Sequence, residues 1–338
     1  MLEESVLSLE LPYRDPLDVR SFSFGIDAKG KVLGKGGSAS DLKRSLCVVA
    51  GIRGDEILQT LVCALLVERL ERMERLKALE PGHLIRVIPC ANPASMGIGR
   101  RFWPLDKTDI NRMFPGSSEG ETTQRIAAGL FAQVRGFVYG VHLSSFYLEG
   151  DFIPHVRVMH GPGEQGNHGG DFCLPYVTHY DPGSLDSTTL HYNWRLHGTE
   201  AYTLFTRKTT VADEGIARDA VRSLLRFMWA RGLLRKPCHG GNRSFELAER
   251  LLVPVHVPVG GVCCPMVRVG DAVDKGQSLA TVRDLICGRV TAKIVAPCDG
   301  VVFYHARAPL VNEQTLAFQI VPDEADEDPR AHTHDGQA

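Results

Sequence analysis

His142 lies next to the end of an apolar run, Gly136–Leu143, which is followed by Ser144 and Ser145. Those polar neighbours suit a site residue better than a packed core histidine, since an imidazole can exchange a proton or offer a lone pair near neutral pH. Asn111 and Arg112 stand in a turn-rich stretch from Asn92 to Gly120. Burying such a pair without an anionic partner is costly, so it marks a pocket. Glu56 opens a helical segment and has two readings: a helix-start carboxylate favoured by the helix dipole, or a site group. His155, His160, His168, His179, His191 and His197 crowd the middle of the chain, where solvated loop residues are the simplest account. The glycine-rich Gly34–Ser38 segment fits neither common phosphate-cradling pattern. The 9 cysteines include no CxxC pair, which argues against a zinc ribbon or a dithiol redox site. They are read as reduced packing thiols, Cys263-Cys264 included.

The elements that must position these groups follow a strand–helix alternation. Leu46–Ala50 is a short β run ended by Gly51, Glu56–Leu79 is helical, and Leu84–Pro89 is a second strand. Thr122–Val134 reads as a helix, Gly136–Leu143 and Ala201–Thr206 as strands, and Asp213–Arg231 as an amphipathic helix stopped by Gly232. Gly161–Tyr192, rich in Gly, Pro, His and Asp, is expected to form irregular loops. This alternation predicts an α/β fold: a mostly parallel mixed sheet with helices on both faces. From Leu251 to Val321 the chain turns to β-branched residues punctuated by glycines, which predicts a small all-β, barrel-like domain. The expected division is 1–245, 246–322, and an acidic disordered tail at 323–338 whose His332 and His334 could only pick up metal adventitiously.

Composition narrows the function. The 338 residues are 43% hydrophobic and 23% charged, with 38 Lys+Arg against 40 Asp+Glu. A long and apolar enough chain can bury a core without staples, and a net charge of −2 gives no footprint for nucleic acid. The longest apolar run, Ile57–Val67, is far short of a bilayer span. With no secretory pattern at the start, a cytoplasmic location is expected, with no membrane partner.

Three segments resemble the succinylglutamate desuccinylase/aspartoacylase family. The first is Gly51-Ile52-Arg53-Gly54-Asp55-Glu56, where the family has G-x-H-G-D-E. The second is Asn92-Pro93, Arg101, Pro104, Asp106 and Asp109-Ile110-Asn111-Arg112-Met113-Phe114-Pro115-Gly116, which follows the family's N-P…R…D-L-N-R-x-F-P-G. The third is Gly140-Val141-His142, where the family has D-L-H. Val269–Gln277 and Ala296–Val302 resemble the family's C-terminal β domain, whose signature is shared with biotinyl/lipoyl-like barrels; with no lysine in the usual lipoyl context, it reads as scaffold. The resemblance runs from about Leu46 to Val321 and implies a zinc carboxypeptidase-like fold. It also implies a zinc-dependent amidohydrolase that cleaves an amide next to a carboxylate, as in N-acyl amino acids. Residue by residue, Glu56 and His142 match metal ligands, and Arg101, Asn111 and Arg112 match substrate-binding positions. In such a site zinc lowers the pKa of a bound water and a glutamate takes its proton.

Three positions depart from that pattern. Arg53 stands where the first ligand His belongs, and a guanidinium has no lone pair to give. Its charge also opposes a cation: two unit charges about 4 Å apart repel by roughly 4 kcal/mol at an effective dielectric near 20, and a dication doubles that. Arg53 therefore points away or takes the metal's place as a cation facing the substrate. Phe205, aligned on Thr203-Leu204-Phe205 and anchored by Asp213 and the helix behind it, stands at the general-base position, leaving the catalytic group unknown. Gly140 replaces the aspartate of D-L-H. A loop histidine or Glu200 could supply a replacement ligand or base. Three functions compete: a deacylase with a remodelled zinc site; a non-catalytic relative that binds a small acidic ligand through Arg53, Arg101, Arg112 and His142 or partners an active subunit; and an enzyme of different, metal-free chemistry. Association with a second copy of the chain is also open.

Overall fold

A computed structural model describes residues 1–11, 14–26, 43–145, 150–161, 166–207 and 211–326. The Gly34–Ser38 segment, His332 and His334 lie outside the described residues. A large mixed sheet organises the first part of the chain. Its strands are β1 (Leu2–Leu11), β2 (Arg14–Phe24), β3 (Lys43–Val49), β4 (His83–Ile88), β5 (Tyr139–Ser144), β7 (His155–Met159), β8 (Tyr176–Tyr180), β9 (Glu200–Phe205) and β10 (Phe245–Ala248). Their spatial order is β1-β2-β4-β3-β5-β9-β7-β8-β10. The centre, β4-β3-β5-β9, is parallel, while β1-β2, β2-β4 and β7-β9 pair antiparallel.

Period-two alternation sends neighbouring side chains to opposite faces. In β3, Leu46 and Val48 join one core with Leu58, Val62, Leu66 and Leu70 of α1 (Ile57–Arg75) and the buried stripe of α5 (Glu214–Ala230). Cys47 and Val49 join the other, with Ile126, Leu130 and Phe131 of α3 (Thr122–Val134) and Trp194 of α4 (Leu190–Leu196). The fold is thus α/β with helices on both faces. Asp213 caps α5 by accepting from Ile216 N at 3.0 Å. The short α2 (Pro93–Met96) is capped by Asn92, whose side chain accepts from Ser95 N at 3.1 Å. None of the described helices is long and apolar enough to cross a membrane.

The last part of the chain forms two antiparallel sheets around a separate apolar core. One contains β11 (Val253–His256), β13 (Ala272–Val273), β16 (Gly300–Ala306) and β18 (Leu316–Pro322); the other contains β12 (Gly261–Pro265), β14 (Ser278–Arg283), β15 (Val290–Val295) and β17 (Leu310–Val311). A division at 245/246 cuts through β10, which pairs with β8 in the large sheet. The chain also returns a strand across the division: β6 (Gly150–Phe152) pairs with β16.

Three expectations are corrected. Gly161–Tyr192 is not irregular throughout, because Tyr176–Tyr180 is a strand paired with both β7 and β10. Asp323–Asp326 is a 3-10 turn with Ala325 buried, so the acidic tail does not begin at 323. The antiparallel β1-β2 pair extends the sheet at an edge for which the sequence offers no element.

Candidate functional site

The loop after β3, the N-terminus of α1, and the C-terminal ends of β5 and β9 meet at one edge of the parallel sheet, the place where α/β sheets usually carry sites. Arg53 sits in that loop and is only 8% exposed. Its Nε and NH2 groups donate to the Asp109 carboxylate at 3.1 and 2.9 Å, and its NH1 donates to Ser144 Oγ at 3.3 Å. The same NH1 lies 3.7 Å from Glu56 Oε1. Burial works against the charged guanidinium, but Asp109 and Glu56 outweigh it and hold Arg53 above its usual value.

Glu56 occupies the N-cap of α1, yet its carboxylate makes no capping bond. It turns instead to the end of β5, where it accepts from Ser145 N and Ser145 Oγ, both at 2.9 Å, and from Ser144 Oγ at 3.3 Å. Burial pushes its carboxyl upward, opposed by Arg53 and by the Ser145 amide. Arg101 joins the same cluster, donating to Asp55 Oδ2 and to Ser145 Oγ, each at 3.0 Å. Asp109 also caps the turn Ile110–Arg112 by accepting from Asn111 N at 3.0 Å, which ties the second motif to the first. Asn111 Oδ1 accepts from Leu190 N at 3.3 Å, and Arg112 NH1 donates to Leu185 O at 2.5 Å with Asp186 at 3.9 Å. The Asn-Arg pair therefore has internal partners, and it pins the segment that leads into α4 over the site.

One row further into the sheet, β5 and β9 place His142 beside Thr203. His191, on the first turn of α4, bonds Thr203 Oγ1 through Nδ1 at 2.7 Å, so the two histidines flank one threonine. Both Nε2 atoms are buried with no partner among the described residues. Burial, then the nearby Arg53 charge, pushes His142 down to about 3. Burial, then Arg157 and Arg195, holds His191 well below its ordinary value. Both are uncharged at neutral pH. Phe205 pairs with Ser144 across β5-β9, beside the cluster, and its ring stacks on His155 at 4.9 Å and 13°.

Of the six loop-region histidines, only His191 enters this site by way of Thr203. His168 bonds Glu200 at 2.7 Å, His160 faces Asp181, His179 faces Glu246, and His197 bonds Asn193 O. Glu200 begins β9, five residues before Phe205, or about 16 Å along an extended strand. That separation removes it as a replacement ligand or base. Nothing in the sequence separates His191 from its five companions; its distinguishing partner, Thr203, is supplied by the fold. Gly140 also has a structural reason: an added Cβ would stand 2.8 Å from two carbons of the Trp194 ring. Trp194, anchored by Nε1 on Val134 O at 3.0 Å, fills the space a longer side chain would need.

Residues 43–144 match the family model of the succinylglutamate desuccinylase/aspartoacylase catalytic domain, and the network just described lies within or beside that segment. Over that segment, a little under a third of the chain, the protein is similar to this catalytic-domain family. Residues 242–325 match a second model, the RnfC barrel sandwich hybrid domain. A comparison with curated protein sequences finds no match. Solved structures carry the likeness over nearly the whole chain. A succinylglutamate desuccinylase from a Silicibacter species has a TM-score of 0.75 at 15% identity, covering 94% of each chain. A succinylglutamate desuccinylase/aspartoacylase from Rhodobacter sphaeroides has a TM-score of 0.73 at 15% identity, again covering 94% of each. The product-bound ectoine utilization protein EutE (DoeB) from Ruegeria pomeroyi has a TM-score of 0.71 at 17% identity, covering 90% of this chain and 89% of that one. At such identities these structures establish a shared fold.

The zinc that the family implies does not fit the donors present here. Arg53 cannot ligate, and Glu56 is already held by two serines and the Arg53 backbone amide, which donates to Oε2 at 3.2 Å. Of these three positions, only His142 keeps a nitrogen without a partner among the described residues. Among the described residues no group of three His, Cys, Asp or Glu side chains is arranged to hold a metal ion.

Proposed function

We propose that this protein binds a small carboxylate-bearing molecule at the β3-β5-β9 edge without a metal centre, as a non-catalytic relative of zinc amidohydrolases. One observation carries the reading: the buried Arg53 guanidinium, held by Asp109 and Glu56 at the position of the first metal ligand. A permanent cation there opposes a divalent ion and supplies positive charge of its own. Arg53 is saturated by internal carboxylates, so the groups that meet a ligand are Arg101 and Arg112, which keep partial exposure. Each can exchange an internal contact for a ligand carboxylate by charge-assisted hydrogen bonding. The uncharged His142 and His191, each with an unpartnered Nε2, suit a neutral amide beside that carboxylate. The ligand class is accordingly an N-acyl amino acid, the class the family resemblance implies.

Calorimetric titration with N-acetylaspartate tests this. The expected result is saturable binding that a chelator leaves unchanged, with the compound recovered intact and binding weakened about tenfold by Arg112→Ala. Chelator-sensitive release of free aspartate contradicts it. The second reading, an amidohydrolase cleaving an amide next to a carboxylate, is favoured by one specific observation: the Nε2 atoms of His142 and His191 are buried with no partner among the described residues. That reading predicts turnover, which the same assay detects as free amine.

A further inference from the structure

A cavity of about 580 Å³ opens on the α5 face of the large sheet, between the end of β9, the first turns of α5, the Cys173–Pro175 segment and the glycine pair Gly240-Gly241. None of the charged residues of the Arg53 cluster lines it, although Phe205, beside that cluster, does. Its floor is apolar, from Leu174, Leu204, Ile216 and Ala220. Three arginines, Arg207, Arg222 and Arg226, line the cavity with a single acidic residue, Asp219. Asp219 is already bonded to Arg222. Arg226 is steered by its Nε, which donates to Phe172 O at 3.3 Å. Neither Arg207 nor Arg226 meets a carboxylate among the described residues.

The position of Arg226 is built into the backbone. Gly241 has φ +99°, and a Cβ there would stand 2.9 Å from Arg226 Cζ and 2.6 Å from Cys173 Cβ. Only a glycine lets the guanidinium pack so closely over that turn. Cys173, packed against the same glycine, is itself held at φ 51°, a left-handed conformation that non-glycine residues seldom keep without need.

We propose that this cavity is a second binding site, for a small organic anion with a compact apolar body. The volume lies in the range of small-molecule pockets. The floor takes the apolar body, and the two guanidiniums without carboxylate partners take the anionic group, each offering planar donors suited to carboxylate or phosphate. The charges explain why an anion is required: two like cations facing one cavity repel until a counter-charge sits between them.

Binding of benzoate and of phenyl phosphate to the full chain, followed by calorimetry with benzamide as the neutral counterpart, tests the proposal. The expected result is saturable binding of at least one anion, about tenfold or more weaker binding of benzamide, and a similar loss in Arg226→Gln. Whichever anion binds more tightly tells a carboxylate from a phosphate ligand. Arg207→Gln, at an exposed position, provides the same reading should Arg226→Gln fail to fold, and Arg112→Ala should leave the binding intact. Benzamide binding as well as the anions, no saturation by either anion, retention of full affinity in the arginine variants, or loss of binding in Arg112→Ala would each overturn it.

Discussion

Two arginine-bearing regions border the same sheet, and they differ in what their charges touch. At the β3-β5-β9 edge Arg53 meets Asp109 and Glu56, Arg101 meets Asp55, and Arg112 has Asp186 within 3.9 Å. On the α5 face Arg207 and Arg226 meet no carboxylate among the described residues. The first region is the one marked by sequence motifs, yet its charge is largely consumed internally; the second carries no motif and holds charge in reserve. A charged residue at a motif position is thus evidence of ancestry, while an uncompensated one is evidence of a ligand.

The sharpest way to break this contrast is to truncate one arginine from each region. Arg53→Met leaves Asp109 and Glu56 without their cation, and losing one partner of a buried pair typically destabilises by about 3–5 kcal/mol. A urea unfolding curve with an unchanged midpoint would show that the network is not structural. Acid probes the first region. Burial holds His142 at about 3 and His155 at about 4, against 6.5 for a free imidazole. Between those values the unfolded chain binds more protons, so the stability they provide is complete above about pH 6.5 and is lost as pH falls. The raised Glu56 carboxyl gains a proton on the same descent and offsets a share of it. A net loss on the order of 2–3 kcal/mol between about pH 6.5 and 5 is expected from denaturation measured at each pH; stability that rises on acidification would contradict the buried neutral histidines. Gly140→Ala drives a methyl into the Trp194 ring and should destabilise by roughly 1–3 kcal/mol, read from the thermal midpoint. At the small end, Arg226→Gln should change folding stability by less than about 0.5 kcal/mol, because it removes no ion pair among the described residues.

Much of the frame is legible from the sequence because it is local. The apolar spacing of α1 and α5, the Asp213 cap, and the β3 run ended by Gly51 all depend on neighbours within a turn or two. β8 escaped because Pro175 and Pro182 flank it and its own residues, Tyr-Val-Thr-His-Tyr, sit in a Gly- and His-rich stretch that reads as loop. β1 escaped because it forms the sheet's edge, where Glu3, Glu4 and Ser5 face solvent and the apolar alternation is weak. For the site, motif order identifies Arg53, Glu56, Arg101, Asn111, Arg112 and His142, but not their partners. The carboxylate that neutralises Arg53 is 56 positions away, and the serines that hold Glu56 come from another strand. The expected cationic pocket is accordingly a paired network, since charge balance in a core is decided by what the fold brings together.

Metal content addresses the central claim most directly, measured by mass spectrometry on protein purified without a polyhistidine tag and with zinc supplied during growth. A guanidinium in the ligand position predicts zinc far below one ion per chain and a melting temperature that a chelator does not move. One tightly held zinc per chain, with melting lowered when it is stripped, would contradict it.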